Sequence, residues 1–80
     1  MDCVIINDDG LLYGGFCEGK PVWYRTKRSE CVLAEEIAVK VEKQLLGLEF
    51  KCIRREAHKV SRKWVPSELA ATLDFGQLSA

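Results

Sequence analysis

The chain has 80 residues, which is enough for one domain and close to the size at which a single hydrophobic core is only just sufficient. Apolar residues make up 48% of it and charged residues 30%, as in a globular chain and not a disordered one. The formal net charge is zero, which excludes both an acidic DNA mimic and a generally basic nucleic-acid coat.

The sequence predicts a cytoplasmic protein with reduced thiols. No apolar run approaches the roughly 20 residues of a membrane span, and residues 1–9 lack the basic start of a signal peptide. The cysteines do not have the close spacing of a structural zinc site, and each lies in an apolar stretch or at the end of an element: Cys3, Cys17, Cys31 and Cys52. We therefore predict structural thiols and no metal or cofactor, although an even count also leaves open disulfides in a secreted domain.

The first part of the chain predicts a three-stranded antiparallel meander. Cys3–Ile6 is continuously apolar, which is typical of an interior strand. An Asp-Gly turn then leads to a second strand, Leu11–Cys17, and another tight turn leads to a third, Val22–Thr26. Within the second strand, Gly14 and Gly15 indicate a bulge or the close approach of another group.

One long helix is predicted from Ser29 to Gly47. Ser29 is a good N-cap, and Gly47 follows the last helical residue, where a left-handed backbone costs glycine nothing. At roughly 100° per residue, one face forms a core stripe, with Leu33 at its edge. The stripe consists of Ala34, Ile37, Ala38, Val41 and Leu45.

A second apolar row is expected on nearly the opposite side of this helix. Val32, Val39 and Leu46 repeat every seven residues. Because a surface helix needs only one apolar face, we expect the helix to pack on two sides. Either the chain's own C-terminal segment covers the row, or the row is a dimer or partner interface. A monomer is the favoured state.

After the helix, Leu48–Arg55 alternates between apolar and charged residues, with Leu48, Phe50 and Cys52 on one side. This period of two predicts a fourth strand with one solvated face. We expect it to lie beside the first strand, which should be central.

The predicted fold class is α+β. The meander, the long helix and the fourth strand form a mixed four-stranded sheet with the helix on one face. A short C-terminal helix is predicted over Ser67–Leu73, and residues 77–80 are expected to be a frayed end of the single domain 1–80.

The clearest charge asymmetry is in the basic segment, Lys51–Lys63, which has six basic side chains and His58 against one acid, and is followed by Trp64. Such a segment can contact nucleic-acid phosphates and bases, complement an acidic protein surface, or protect an exposed strand edge. His58 has no nucleophile or carboxylate in a recognisable motif, so no enzymatic activity is predicted. The candidate partner-binding residues are Lys51, Arg54, Arg55, Lys59, Arg62, Lys63 and Trp64, with an exposed Tyr24 as a further anchor.

The arrangement of Ile5–Gly10, Tyr13–Phe16 and Gly19–Trp23 resembles a pattern in small phage and mobile-element proteins, where two hairpins lead into an Ala/Glu-rich helix and one more strand. Some anti-CRISPR proteins, which inhibit CRISPR–Cas systems, are similar in size and build. The chain differs from this pattern in its short basic bridge, Thr26–Arg28, and in its basic segment. The resemblance implies a non-enzymatic inhibitor that blocks a Cas effector, a protein or ribonucleoprotein, by steric contact in the host cytoplasm. The alternative is a small nucleic-acid-binding module that uses the basic segment.

Overall fold

The computed structural model describes residues 1–60, which form five strands and one α-helix. The strands are β1 (Asp2–Asn7), β2 (Leu12–Cys17), β3 (Lys20–Tyr24), β4 (Leu33–Ala34) and β5 (Cys52–Glu56), and the helix α1 (Glu35–Gly47) lies between β4 and β5. Short 3-10 turns, Ser29–Cys31 and Ala57–Lys59, precede β4 and follow β5. The predicted α+β class is confirmed, while the predicted C-terminal helix and frayed end lie outside the described residues.

β1 is the central strand, as predicted. Cys3 of β1 pairs with Leu33 of β4 and also with Glu56 of β5, so β4 and β5 lie on opposite edges of β1. β2 shares the β4 edge through the pair Ile6–Leu12, and β3 follows β2 as the outer strand. All these pairs are antiparallel. The prediction of a mixed four-stranded sheet is therefore wrong, because Leu33–Ala34 adds a fifth strand and β5 runs antiparallel to β1.

The α-helix begins at Glu35 and not at the predicted N-cap, Ser29. Ser29 starts only a single 3-10 turn. The backbones of Leu33 and Ala34 then pair with the first residues of β1. β2 pairs only with the other end of that strand. This sheet pairing outweighs the helical propensity of the segment. The amide of Glu35 donates to the carbonyl of Met1 at 3.0 Å, which satisfies one free N–H of the first turn in place of a side-chain cap.

The residue with a left-handed backbone after the helix is Glu49, and not Gly47 as predicted. Glu49 has φ 69°, whereas Gly47 is the last helical residue. The amide of Phe50 donates to the carbonyl of Leu45 and that of Glu49 to the carbonyl of Leu46, both at 3.0 Å, as in a Schellman motif. This turn occupies the start of the predicted fourth strand, which therefore begins only at Cys52.

We expect Gly47→Ala and Glu49→Gly each to stabilise the protein. Gly47 is helical and a Cβ there meets no atom within 4 Å, so alanine should add about 0.5–1 kcal/mol to the free energy of unfolding. Glycine at position 49 relieves a left-handed backbone that costs other residues about 1–2 kcal/mol, less the added entropy of the unfolded chain. Urea unfolding measures both effects, and Glu49→Ala, which keeps the strain, is the control. A destabilised Gly47→Ala variant would contradict this helix end.

Both faces of the sheet are buried. The helix-side cluster contains Cys3, Ile5, Tyr13, Ala38, Val41, Leu45 and Cys52. The far-side cluster contains Val4, Ile6, Leu12, Cys31, Ile53, Ala57 and Val60. Successive residues of β1 alternate between the two clusters, which explains why its sequence is apolar without interruption.

The predicted core stripe of the helix is confirmed only in part. Ala38, Val41 and Leu45 are buried against the sheet. Ile37, in the first turn, is 53% exposed, and Ala34 precedes the helix and is exposed. The face that α1 buries is therefore narrower than the sequence predicts.

Candidate functional site

Tyr24, at the end of β3, is held by two neighbours. Its ring lies against the backbone of Gly14 so closely that a Cβ on this glycine would overlap ring atoms Cδ2 and Cε2. The guanidinium of Arg28 lies over the ring, with Cζ 4.8 Å from the ring centroid. The pairing of β2 with β3 shifts register between Tyr13 and Phe16, so the bulge and close approach predicted from the glycines are confirmed. Tyr24 is half-buried and packs against the far-side cluster.

A hydrogen bond joins the basic bridge to the end of β5. Lys27 Nζ donates to the carbonyl oxygen of Ala57 at 2.7 Å, across 30 positions of sequence. Ala57 belongs to the far-side cluster, against which Tyr24 also packs. Cationic side chains from two distant segments therefore come together on this side of the sheet. We call Lys27, Arg28 and Arg55 the basic surface.

Arg54 and Arg55, adjacent in β5, lie on opposite faces of the sheet. Cys52 belongs to the helix-side cluster and Ile53 to the far-side cluster, so the alternation of the strand puts Arg54 on the helix side. There its Nη1 lies 3.7 Å from Oε1 of Glu42 on α1. Arg55 is exposed on the other face. The basic segment is therefore not one continuous surface.

The other predicted residues of the basic segment are spread along it. Lys51 is exposed just before β5, at the end of that strand opposite to His58. His58 is exposed in the 3-10 turn after β5, with Nε2 3.3 Å from Oε2 of Glu56. Lys59 follows in the same turn. Three predicted residues lie outside the described part of the chain, namely Arg62, Lys63 and Trp64.

Val32, Val39 and Leu46 do not form one row on the helix, because α1 begins after Val32. Val32 is extended and packs against the far-side cluster. Val39 is half-buried and lines an open cleft of about 620 Å³ between α1 and the chain start at Met1–Asp2. Leu46 is exposed near the end of α1. That the C-terminal segment, a second chain or a partner covers Val39 and Leu46 stays a prediction.

A chain of aromatic rings lies beside the C-terminal end of α1. Ring centroids are 5.5 Å apart for Tyr13 and Phe16, 6.1 Å for Tyr13 and Trp23, and 6.3 Å for Trp23 and Phe50. Tyr13 is buried, whereas Phe16 and Phe50 are 37% and 38% exposed. We call Phe16, Trp23 and Phe50 the aromatic surface. The alternation of β3 predicts that Trp23 and Tyr24 point to opposite faces, but no local pattern predicts that Phe50 joins them.

Three of the four cysteines are buried, and Cys17 is exposed at the end of β2. Burial raises the pKa of the Cys31 thiol. Burial, with a smaller contribution from the Glu42 carboxylate, raises the pKa of Cys52 to about 11. Because the thiolate is the reactive form, these buried thiols are poor nucleophiles at neutral pH.

We expect one thiol per native chain, that of Cys17, to react rapidly with Ellman's reagent. The buried thiols should react only when the fold opens, and four thiols should be counted after unfolding. The rapid phase should be absent in Cys17→Ser. A rapid phase that persists in this variant, or fewer than four thiols in the unfolded chain, would contradict the prediction.

Among residues 1–60, no helix is long and apolar enough to cross a membrane. In the same range, no three His, Cys, Asp or Glu side chains are grouped as the ligands of a metal ion would be. Comparisons of the chain with models of protein families, with curated proteins and with solved structures find no match.

Proposed function

We propose that this protein is a non-enzymatic binding protein that docks its basic surface on an acidic surface of a protein or ribonucleoprotein effector and blocks that effector sterically. The resemblance to anti-CRISPR proteins favours a CRISPR–Cas effector as the partner and the host cytoplasm as the location. The observation that carries this proposal is the hydrogen bond from Lys27 to Ala57, which gathers cations of two segments onto one face. A concentrated patch of one charge accelerates encounter with a complementary surface and fixes its orientation.

A protein partner is favoured over nucleic acid because the basic surface brings together only three cations within residues 1–60. They are Lys27, Arg28 and Arg55, and the Arg54 next to them lies on the opposite face, against Glu42. Affinity for nucleic acid rises with the number of phosphates neutralised, which is small for such a surface. A protein complex needs only a few well-placed charges together with apolar contact area.

The aromatic surface supports the same proposal. Trp23 and Tyr24 are neighbours on β3, the outer strand of the sheet. Trp23 packs with the helix-side cluster and Tyr24 with the far-side cluster, so the aromatic and basic surfaces meet along this edge. Exposed Phe16 adds apolar area there. Aromatic and arginine side chains are the residues that most often dominate the energy of protein interfaces.

Affinity capture from host extract, with and without nuclease treatment, tests this proposal. We expect one effector to be captured in both conditions, and direct binding to naked duplex to be weak at about 150 mM salt. Capture that disappears after nuclease treatment, together with tight binding to naked duplex, would instead favour the nucleic-acid-binding module.

A further inference from the structure

We propose that Arg28, held on the ring of Tyr24, is the anchor of the basic surface and binds a carboxylate of the partner protein. This inference rests on the proposed function and names the chemistry by which that surface would recognise its partner. It assigns to Arg28 a larger share of the binding affinity than to the other cations of the basic surface.

The stack fixes the guanidinium before any partner arrives. Arg28 Cζ lies 4.8 Å from the centroid of the Tyr24 ring, and that ring is itself held against the backbone of Gly14. Arg28 is nevertheless exposed. A guanidinium that lies over an aromatic ring can still direct its N–H groups at a ligand. Less side-chain entropy is then lost on binding than for a freely moving arginine.

The other cations of the basic surface are less suited to this role. Lys27 already donates to the carbonyl of Ala57. Arg55 is exposed, and within residues 1–60 neither a ring nor a carboxylate holds it. In the same part of the chain, Arg28 forms no ion pair. Arg28 therefore has a defined position and a charge that no carboxylate within residues 1–60 neutralises.

A carboxylate is the ligand that this geometry favours. The planar guanidinium fork matches a carboxylate with two parallel hydrogen bonds, which a lysine ammonium cannot reproduce. Phosphate also fits the fork, but a nucleic acid presents many phosphates and would gain from many free cations. Within residues 1–60 the basic surface has three cations, and the aromatic surface, which meets it along the edge strand β3, suits a protein.

The test compares two probes of equal charge by fluorescence anisotropy in low salt. One is a fluorescent peptide of alternating aspartate and alanine, and the other is a fluorescent oligothymidylate with the same number of negative charges. We expect the peptide to bind more tightly than the oligothymidylate. Arg28→Gln should weaken peptide binding by about 10-fold, as expected for a charge-assisted bidentate contact. Arg28→Lys should weaken it nearly as much, because lysine keeps the charge and loses the fork.

Arg25→Gln is the matched control, since Arg25 is an exposed arginine of the same segment without a ring beneath it. It should weaken peptide binding by no more than about 2-fold. Thermal unfolding of each variant checks that the fold is retained.

Several results would overturn the inference. Equal losses of peptide affinity in Arg25→Gln and Arg28→Gln would show that the peptide is attracted by the overall charge and not by one anchoring arginine. Full retention of peptide binding in Arg28→Lys would show the same. Tighter binding of the oligothymidylate, or no binding of either probe, would exclude a carboxylate site. The proposed function has a separate test in effector capture, so it stands if capture depends on the basic surface as a whole and not specially on Arg28.

Discussion

Gly14→Ala should lower the free energy of unfolding by about 2–3 kcal/mol, because the added methyl group overlaps the Tyr24 ring and overpacking costs this much. In a domain of this size, that loss corresponds to a fall in the midpoint of thermal unfolding of roughly 10–20 °C. The ring can relieve the overlap only by leaving the far-side cluster and the guanidinium of Arg28. The variant should therefore also disturb the basic surface.

A double-mutant cycle identifies the ring as the cause. In a Tyr24→Ala background, Gly14→Ala should cost much less, since the three atoms nearest to the new methyl group all belong to that ring. Gly15 is the matched control: it has φ 120° and open space around its Cβ position. Gly15→Ala should destabilise through its backbone by the same amount with or without Tyr24. An equal penalty for Gly14→Ala in both backgrounds would contradict the contact between the ring and this glycine.

The sequence predicts the features of this fold that depend on neighbouring residues. Continuous apolar character identifies β1 as an interior strand, and turn residues identify the two hairpins. The two adjacent glycines of β2 predict the bulge on which Tyr24 lies.

The errors in the predicted helix come from contacts that a local pattern does not contain. Ser29 has a residue type that favours an N-cap, but it only begins a 3-10 turn and makes no side-chain cap. Leu33 and Ala34 instead pair with β1, 30 and 32 residues earlier in the chain. At the other end, a helix-stop glycine suggests Gly47, whereas the chain turns at Glu49. Hydrogen bonds to the last helical carbonyls decide that position.

The candidate site was only partly predictable. Tyr24 is predicted as an exposed anchor, whereas the structure has it half-buried beneath Arg28. The period of two in a strand is enough to separate Arg54 from Arg55. The contact of Lys27 with Ala57 crosses 30 positions and depends on how the bridge is packed. The position of Arg28 over Tyr24 likewise follows from the turn after β3.

Reversal of charge on the basic surface should abolish capture of the effector. The variant carries Arg28→Glu and Arg55→Glu, two exposed positions whose side chains contribute little to the core. Each reversal replaces attraction with repulsion against an acidic partner, and like charges placed together at an interface cost several kcal/mol. We expect the free energy of unfolding to change by less than about 1 kcal/mol, as is usual for surface positions.

The most direct measurement is capture of the effector, after nuclease treatment, by this variant beside a control with the same change in net charge. The control carries Lys40→Glu and Lys43→Glu, which are exposed on α1 and lie outside both the basic surface and the aromatic surface. We predict that the control captures the effector as the wild type does and that the arginine variant captures none. Capture that the arginine variant retains, or that both variants lose equally, would contradict a working surface that contains Arg28 and Arg55.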